Sequence, residues 1–231
     1  MEDLHETLRE IRSRLRRAMN GMISTSMREK GIVYKLNFGV PYPEIKEIAH
    51  HYQPDVCLAN ALWREDIREF KVLATLLCPP DSFPMEDARR WTKEIPYLEI
   101  AEYCSKNLFA YLPYMEPFVT GLIHDTQNPF SQISAFLTCA EYFRQEKELS
   151  TIGMETFLSE CLSTLSGEKT EEISWNEKQA CIQALKFYGR SSEERTHVVL
   201  DRLQSLMARS NDTPEMQEIY KDLKFEFEYY R

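Results

Sequence analysis

Residues 27–77 read MREKGIVYKLNFGVPYPEIKEIAHHYQPDVCLANALWREDIREFKVLATLL, and this stretch decides the fold. Two runs of apolar side chains recur three or four residues apart: Ile45, Ile48, Ala49 and Tyr52, then Ile67, Phe70, Ala74 and Leu77. This spacing places the apolar side chains of each run on one face of an α-helix. Short breaks with proline and glycine separate the runs. The stretch therefore predicts consecutive amphipathic helices joined by turns, as in a helical-repeat array.

The same helical spacing continues through the rest of the chain. It recurs at residues 100–111, 133–140, 158–165, 181–188, 199–206 and 219–227. No convincing run of strict apolar and polar alternation indicates a strand. Residues 222–231 alternate briefly, and we interpret them as a helix end, with a short strand or an oligomer contact as the alternative. Helix pairs recur about every 35–45 residues, in the range of HEAT and armadillo repeats. We predict an all-α fold of about ten or eleven helices, a solenoid of HEAT-like (ARM-type) repeats that forms a single domain over residues 1–231 and binds partners on its concave face.

Helix-end signals agree with this periodicity. Ser174 and Ser191 each precede a glutamate by three residues, the spacing of a capping box. Asn128 and Thr213 each precede a proline, a pattern that predicts a cap followed by the first helical residue. Three further prolines mark predicted helix starts: Pro43, Pro84 and Pro96.

The composition bounds the class of protein. Hydrophobic residues make up 43% of the 231 positions, enough for a sizeable core. No apolar run approaches the roughly 20 residues that span a membrane, and the acidic N-terminus does not resemble a signal peptide. We expect a cytoplasmic location and no membrane partner. The net charge of −9 argues against tight nonspecific DNA binding unless basic side chains gather on one face.

Cysteine and histidine spacing gives no sign of a metal site. The six cysteines are far apart and form no Cys-x-x-Cys pair, so we expect reduced, buried thiols; a redox or nucleophilic role is the alternative. His50 and His51 are adjacent, so they point to different sides of one helix and do not bind one ion together. A phosphate-cradling glycine-rich loop is also missing. We predict no metal, no cofactor and no nucleotide.

Three blocks of the sequence resemble one known family. Residues 34–43 hold a tyrosine, an aromatic-Gly-aliphatic step and a proline that opens the next helix. Residues 62–74 hold Leu-Trp, Arg-Glu and Leu-Ala pairs, and residues 91–108 begin with a tryptophan and contain a carboxylate. These blocks resemble the bacterial DNA alkylation repair glycosylases built from HEAT-like repeats (AlkD-like proteins). The resemblance extends over about residues 20–190 and marks the chain as a divergent member.

The resemblance implies hydrolysis of an N-glycosidic bond in DNA. The family removes cationic alkylated purines, such as 3-methyladenine and 7-methylguanine, from DNA held on the concave face. Because the leaving base already carries a positive charge, no general acid has to protonate it. A carboxylate beside an aromatic cradle stabilises the developing oxocarbenium sugar and positions a water.

The family's pattern Trp-x-x-x-Asp falls on residues 98–102. The resemblance therefore assigns the carboxylate to Glu102, with Leu98 at the tryptophan position and Tyr97 beside it as a substitute. Tyr34 matches an N-terminal tyrosine of the family. The candidate catalytic residues are thus Glu102, Tyr97 and Tyr34. A carboxylate near a helix N-terminus is also favoured by the helix dipole, whether or not it is catalytic.

Basic side chains near these positions are candidates for contacts to DNA phosphates. They are Arg28, Lys30, Lys35, Lys46, Arg89, Arg90 and Lys93. Two functions stay open. One is a protein of alkylation repair that binds duplex DNA and has glycosylase activity centred on Glu102. The other is a catalytically inactive scaffold for a protein or nucleic-acid partner, because the family's arginine and later tryptophan fall on Ile133 and Gln183.

Overall fold

The computed structural model describes residues 2–166, 173–209 and 212–230. These residues form thirteen α-helices, two short 3₁₀-helices and no β-strand, which confirms the predicted all-α fold. One isolated parallel bridge joins Leu36 to Ile67. The chain divides into two compact units, Met1–Pro113 and Tyr114–Arg231. The single domain over residues 1–231 stays a prediction.

The first unit contains seven α-helices and both 3₁₀-helices. The α-helices are α1 Glu2–Arg17, α2 Gly21–Glu29, α3 Tyr42–Ala49, α4 Val56–Arg64, α5 Arg68–Leu77, α6 Met85–Lys93 and α7 Leu98–Asn107. The 3₁₀-helices are Pro80–Ser82 and Phe109–Tyr111.

Two stacked tryptophans form part of the first unit's core. Trp63 of α4 and Trp91 of α6 are fully buried, with ring centroids 4.2 Å apart and planes 2° from parallel. Their indole N–H groups donate to Glu94 at 2.7 Å and to Asn60 at 3.0 Å. The ammonium group of Lys71 lies 4.6 Å from the Trp63 ring centroid and donates to the Trp63 carbonyl. Because each buried polar tip has a partner, this packing holds α4, α5 and α6 in one arrangement.

The second unit contains six α-helices. They are α8 Met115–Ile123, α9 Ser131–Arg144, α10 Thr151–Ser166, α11 Trp175–Arg190, α12 Glu193–Arg209 and α13 Pro214–Tyr229. Helix α9 is buried along most of its length and packs against α8 and α11. The ring of Phe143 lies 5.2 Å from that of Phe157 and 5.3 Å from that of Tyr188, so α9, α10 and α11 share an aromatic core.

Several predicted helix ends are confirmed. The side chains of Ser174 and Thr213 accept hydrogen bonds from backbone N–H groups three residues ahead, at 3.2 Å in each case. Pro84 directly precedes α6, and Pro43 is the second residue of α3.

Three other predicted ends are wrong by one or two residues. Ser192 caps α12 by accepting from a backbone N–H at 3.2 Å, whereas Ser191 ends α11. Asn128 bonds the backbone of the next turn, and α9 begins only at Ser131. Helix α7 begins two residues after Pro96. At Ser191 and Asn128 a local turn takes up the residue that the sequence pattern assigned to the helix end, whereas the residue between Pro96 and α7 is extended.

None of the described helices is long and apolar enough to cross a membrane. Across the same residues, no group of three or more His, Cys, Asp and Glu side chains is placed to hold a metal ion. All six cysteines are free thiols and five are buried, as predicted. The prediction is wrong for Cys57, which is exposed because it lies on the same face of α4 as Asn60 and Arg64.

Candidate functional site

A buried ion network joins the segment before α3 to α5 and α7. The guanidinium of Arg68 donates from Nε to Glu99 at 2.9 Å and from Nη2 to the same carboxylate at 2.5 Å. Its Nη1 donates to the Val40 carbonyl at 2.9 Å and to Glu69 at 3.2 Å. The fully buried Glu69 in turn accepts from the backbone N–H groups of Phe38 and Val40. Because buried charges are costly without such partners, the network fixes the segment before α3 relative to α7.

Gly39 explains the aromatic-Gly-aliphatic step in that segment. Its φ of +69° lies in the left-handed region, and a Cβ there would lie 2.2 Å from the backbone oxygen of Asn20. The neighbouring residue, Phe38, accepts a hydrogen bond from the Asn20 N–H at 2.9 Å. Glycine is therefore required both for the backbone conformation and for the close approach of α2.

Two of the three predicted catalytic residues are in contact. The rings of Tyr34 and Tyr97 meet edge to face with centroids 5.0 Å apart. The Tyr97 hydroxyl accepts from the Val33 N–H and donates to the Val33 carbonyl, both at 2.9 Å. Tyr34 is buried, and its hydroxyl has no hydrogen-bond partner among the described residues. Burial, followed by the nearby Glu99 carboxylate, raises the pKa of Tyr34 above its ordinary value, so the phenol stays protonated.

The third predicted residue, Glu102, is an exposed carboxylate on α7. It makes no hydrogen bond or ion pair with another described residue. Partial desolvation by the surrounding protein is the larger cause that raises the pKa of Glu102, and the negative charge of the neighbouring Glu99 is the smaller one. The electrostatic environment of Tyr34 includes Glu99 and Arg68. The carboxylates whose charges act on Tyr34 are therefore Glu99 and Glu69, and the sequence pattern indicated neither of them as a site residue.

A second aromatic pair joins α7, the helix that carries Glu102, to α3. Tyr103 of α7 stacks on Tyr42 of α3, with centroids 4.7 Å apart and planes 17° from parallel. Tyr42 also donates to Asn107 at 2.8 Å, and the ammonium group of Lys106 lies 5.3 Å from the Tyr42 ring centroid. Burial, and then Glu99, raises the pKa of Tyr103 to about 12. The four-residue spacing of Glu99, Tyr103 and Asn107, which the sequence analysis did not use, would have placed these three residues on one face of α7.

Six of the seven predicted phosphate-binding side chains are exposed and make no ion pair with another described residue. They are Arg28, Lys30, Lys35, Lys46, Arg89 and Lys93. The seventh, Arg90, is half-buried and donates to Asp87 at 2.9 Å and to Asn60 at 2.7 Å, so its guanidinium is already engaged. The Val33–Tyr97 hydrogen bonds bring the segment that carries Lys30 and Lys35 next to the segment that carries Lys93.

The two positions that replace the family's arginine and tryptophan lie in the second unit. Ile133 is buried in α9, and Gln183 is exposed on α11. A buried isoleucine offers neither charge nor access to a ligand. Every predicted catalytic or phosphate-binding residue lies instead in the first unit.

Formal charge is also unevenly distributed along the chain. Residues 1–113 carry 16 Lys and Arg against 17 Asp and Glu, whereas residues 114–231 carry 12 against 20. The excess negative charge therefore belongs almost entirely to the second unit.

Comparison with known proteins agrees with the fold and with the sequence blocks. The sequence profile described as "DNA alkylation repair enzyme" matches residues 11–210. No curated protein matches the chain significantly. One solved structure, described as "A new family of proteins related to the HEAT-like repeat DNA glycosylases with affinity for branched DNA structures", superposes with a TM-score of 0.72 at 13% identity. The superposition covers 94% of this chain and 93% of the chain in the solved structure, which confirms the predicted HEAT-like solenoid fold.

Proposed function

The chain belongs to the DNA alkylation repair enzyme family, and from this premise we propose that it binds DNA through the first unit. The observation that carries the proposal is the set of six exposed basic side chains of the first unit, none of which has an ion-pair partner among the described residues. Three of them, Lys30, Lys35 and Lys93, lie in the two segments that the Val33–Tyr97 hydrogen bonds join. Free surface cations are the groups that displace counterions from DNA phosphates. The first unit as a whole is nearly neutral, with 16 Lys and Arg against 17 Asp and Glu, so its net charge does not strongly repel a polyanion.

Duplex DNA is the proposed ligand, and branched DNA is the form to compare with it. The structurally similar protein is described as having affinity for branched DNA structures. A labelled linear duplex and a labelled four-way junction of the same sequence would be titrated with the purified protein by fluorescence anisotropy. We expect both to bind, with affinity that falls as salt rises. Affinity that does not respond to salt would contradict phosphate contacts.

Matched variants locate the surface. The test variant changes Lys35, Arg89 and Lys93 to glutamine, and the control changes Arg209, Lys221 and Lys224 of the second unit. Both remove three exposed positive charges from the chain. For every phosphate that the protein no longer neutralises, the slope of log affinity against log salt should fall by about 0.9. We expect this reduction in the test variant alone; equal reductions in both would mean that only the net charge matters.

We further propose base excision centred on Glu102 as a second activity of the same unit. Its carboxylate is exposed and unpaired, so it could approach a sugar whose positive charge develops as a cationic base departs. The positive charge of Arg68 is neutralised by Glu69 and Glu99, so it does not repel the positive charge of such a transition state.

The test of excision is release of 7-methylguanine from methylated duplex DNA, with an active glycosylase of the family as positive control. We expect Glu102→Gln to abolish release and Glu86→Gln, which removes an exposed carboxylate of α6, to leave it unchanged. Absence of release by the unmodified protein would favour the other function, a catalytically inactive scaffold that binds a nucleic-acid or protein partner. The replacements at Ile133 and Gln183 support that alternative.

A further inference from the structure

A groove of about 390 Å³ lies between α11 and α13 in the second unit. Trp175, Ile182 and Ile219 supply its apolar lining. The charged lining residues are Lys178, Lys186, Glu215, Glu218 and Asp222. None of these residues belongs to the proposed DNA surface, which lies in the first unit.

Trp175 is the unusual member of this lining. Its side chain is 67% exposed at the start of α11, whereas Trp63 and Trp91 are fully buried. Ile182, seven residues later on the same face of α11, and Ile219 of α13 are half-buried. An exposed indole beside half-buried isoleucines offers a large apolar and π-electron surface that the described residues leave uncovered.

The charges in the groove leave a negative excess. Lys178 pairs with Glu215 at 2.7 Å, and Lys186 lies 3.9 Å from Glu226. Glu218 and Asp222, one turn apart on α13, have no ion-pair or hydrogen-bond partner in the part of the chain that the structure describes. Lys178 is thus neutralised, whereas Lys186 shares the Glu226 carboxylate with Arg190. The lining carries three carboxylates against two ammonium groups, which leaves a negative excess.

We propose that this groove binds an arginine-bearing segment of a partner protein. A guanidinium group can lie flat on the Trp175 ring while donating to a carboxylate, which is how arginine is recognised in mixed aromatic and acidic sites. The spacing of Glu218 and Asp222 suits two arginines, and the isoleucines suit apolar residues between them. The acidic second unit attracts such a segment and repels nucleic acid, so the groove is independent of the proposed DNA binding.

The experiment uses the full chain and a synthetic peptide, acetyl-Ala-Arg-Leu-Leu-Arg-Ala-amide. Tryptophan fluorescence reports binding directly, because Trp175 is exposed while the other two tryptophans are buried. We expect a saturable change in emission that is lost in a Trp175→Phe variant. Isothermal titration should give the same affinity for the unmodified protein. The double variant Glu218→Gln/Asp222→Asn should bind roughly three- to tenfold more weakly, with less dependence on salt.

The control is the double variant Glu194→Gln/Asp201→Asn, which removes two exposed carboxylates of α12 that do not line the groove. It should bind the peptide like the unmodified protein. Three results with peptides would overturn the proposal: no emission change up to the solubility limit of the peptide, equal weakening in both double variants, or equal binding of a peptide with glutamates in place of its arginines. A DNA duplex that alters Trp175 emission would also overturn it, by showing a nucleic-acid contact there.

Discussion

The side chain of Arg68 is only 5% exposed, and it donates hydrogen bonds to Glu69, Glu99 and the Val40 carbonyl. Arg68→Met should lower the free energy of unfolding by about 3–5 kcal/mol, because it leaves buried carboxylates without a counter-charge. Urea denaturation followed by circular dichroism measures the change. Arg89→Met, at an exposed and unpaired arginine, should change stability by no more than about 0.5 kcal/mol. Equal changes in the free energy of unfolding for the two variants would mean that the ion network around Arg68 does not stabilise the fold.

Loss of the hydroxyl group should affect the stability of the protein differently at the two tyrosines of the candidate site. Tyr34→Phe removes a buried hydroxyl that has no partner, so stability should be unchanged or rise by up to about 1 kcal/mol. Tyr97→Phe removes both hydrogen bonds to Val33 and should lower stability by about 1–2 kcal/mol. Denaturation midpoints of the two variants would test this. A destabilised Tyr34→Phe would show that the hydroxyl has a partner in solution.

Glu102 should impose a pH dependence on stability. Its raised pKa means that the folded chain holds this proton more tightly than the unfolded chain does. The stability from protonated Glu102 is therefore complete below the unfolded value of about 4.3 and is lost as pH rises through the raised pKa. Glu102→Gln should raise the melting temperature at pH 7, and the gain should vanish below about pH 4. Glu86→Gln should show no such gain; a constant difference at all pH values would contradict the assignment.

How far single residues could be predicted depended on whether their role is local. Tyr34, Tyr97 and Glu102 were identified from sequence blocks, and the two tyrosines do lie in contact. Glu99 was missed because its role depends on a partner 31 positions away, Arg68, and no local pattern reveals such a pairing. Cys57 was placed wrongly for the opposite reason: its face of a short helix is polar, and apolar chain neighbours hid this.

At the level of elements, the turn before α3 depends on a glycine in contact with α2. Gly39→Ala should lower the free energy of unfolding by at least about 2 kcal/mol, because it adds a strained positive φ and a clash with the Asn20 backbone. Gly31 is the matched control, since its φ of +83° is also positive but a Cβ there meets nothing within 4 Å. Gly31→Ala should cost about 1 kcal/mol. Equal costs, measured by urea denaturation, would show that the close approach to α2 is unimportant.

Helices were predicted more reliably than their ends. Apolar spacing identifies the buried face of a helix, and packing preserves that face whatever the ends do. The ends depend on competition between neighbouring caps, as at Ser191 and Ser192, where both residues can accept a backbone hydrogen bond. Pro96 shows the same limit: an extended Tyr97 follows it before α7 begins, and the Tyr97 hydroxyl accepts a hydrogen bond from Val33 of a distant segment.

For the whole molecule, formal charge and the two proposed binding surfaces are divided along the chain. The predicted DNA-binding residues lie in the nearly neutral first unit, and the acidic groove with Trp175 lies in the second. The net charge of −9, taken alone, argued against a nucleic-acid ligand. Its distribution could be counted from the sequence, but the boundary near residue 113 that gives the count its meaning comes from the three-dimensional structure.

The prediction of a single domain can be tested by asking whether the two units unfold together. In a Trp175→Phe background, fluorescence of Trp63 and Trp91 reports only the first unit, whereas circular dichroism reports both. Phe157→Ala removes a fully buried ring of the second unit and should cost about 3–5 kcal/mol. The family profile runs from residue 11 to residue 210, across the boundary, and stacked repeats depend on their neighbours for stability. We therefore expect the tryptophan transition to shift together with the circular dichroism transition. A tryptophan transition that Phe157→Ala leaves unmoved would mean two independently folding units, and the fragment of residues 1–113 would then be the one to test for DNA binding.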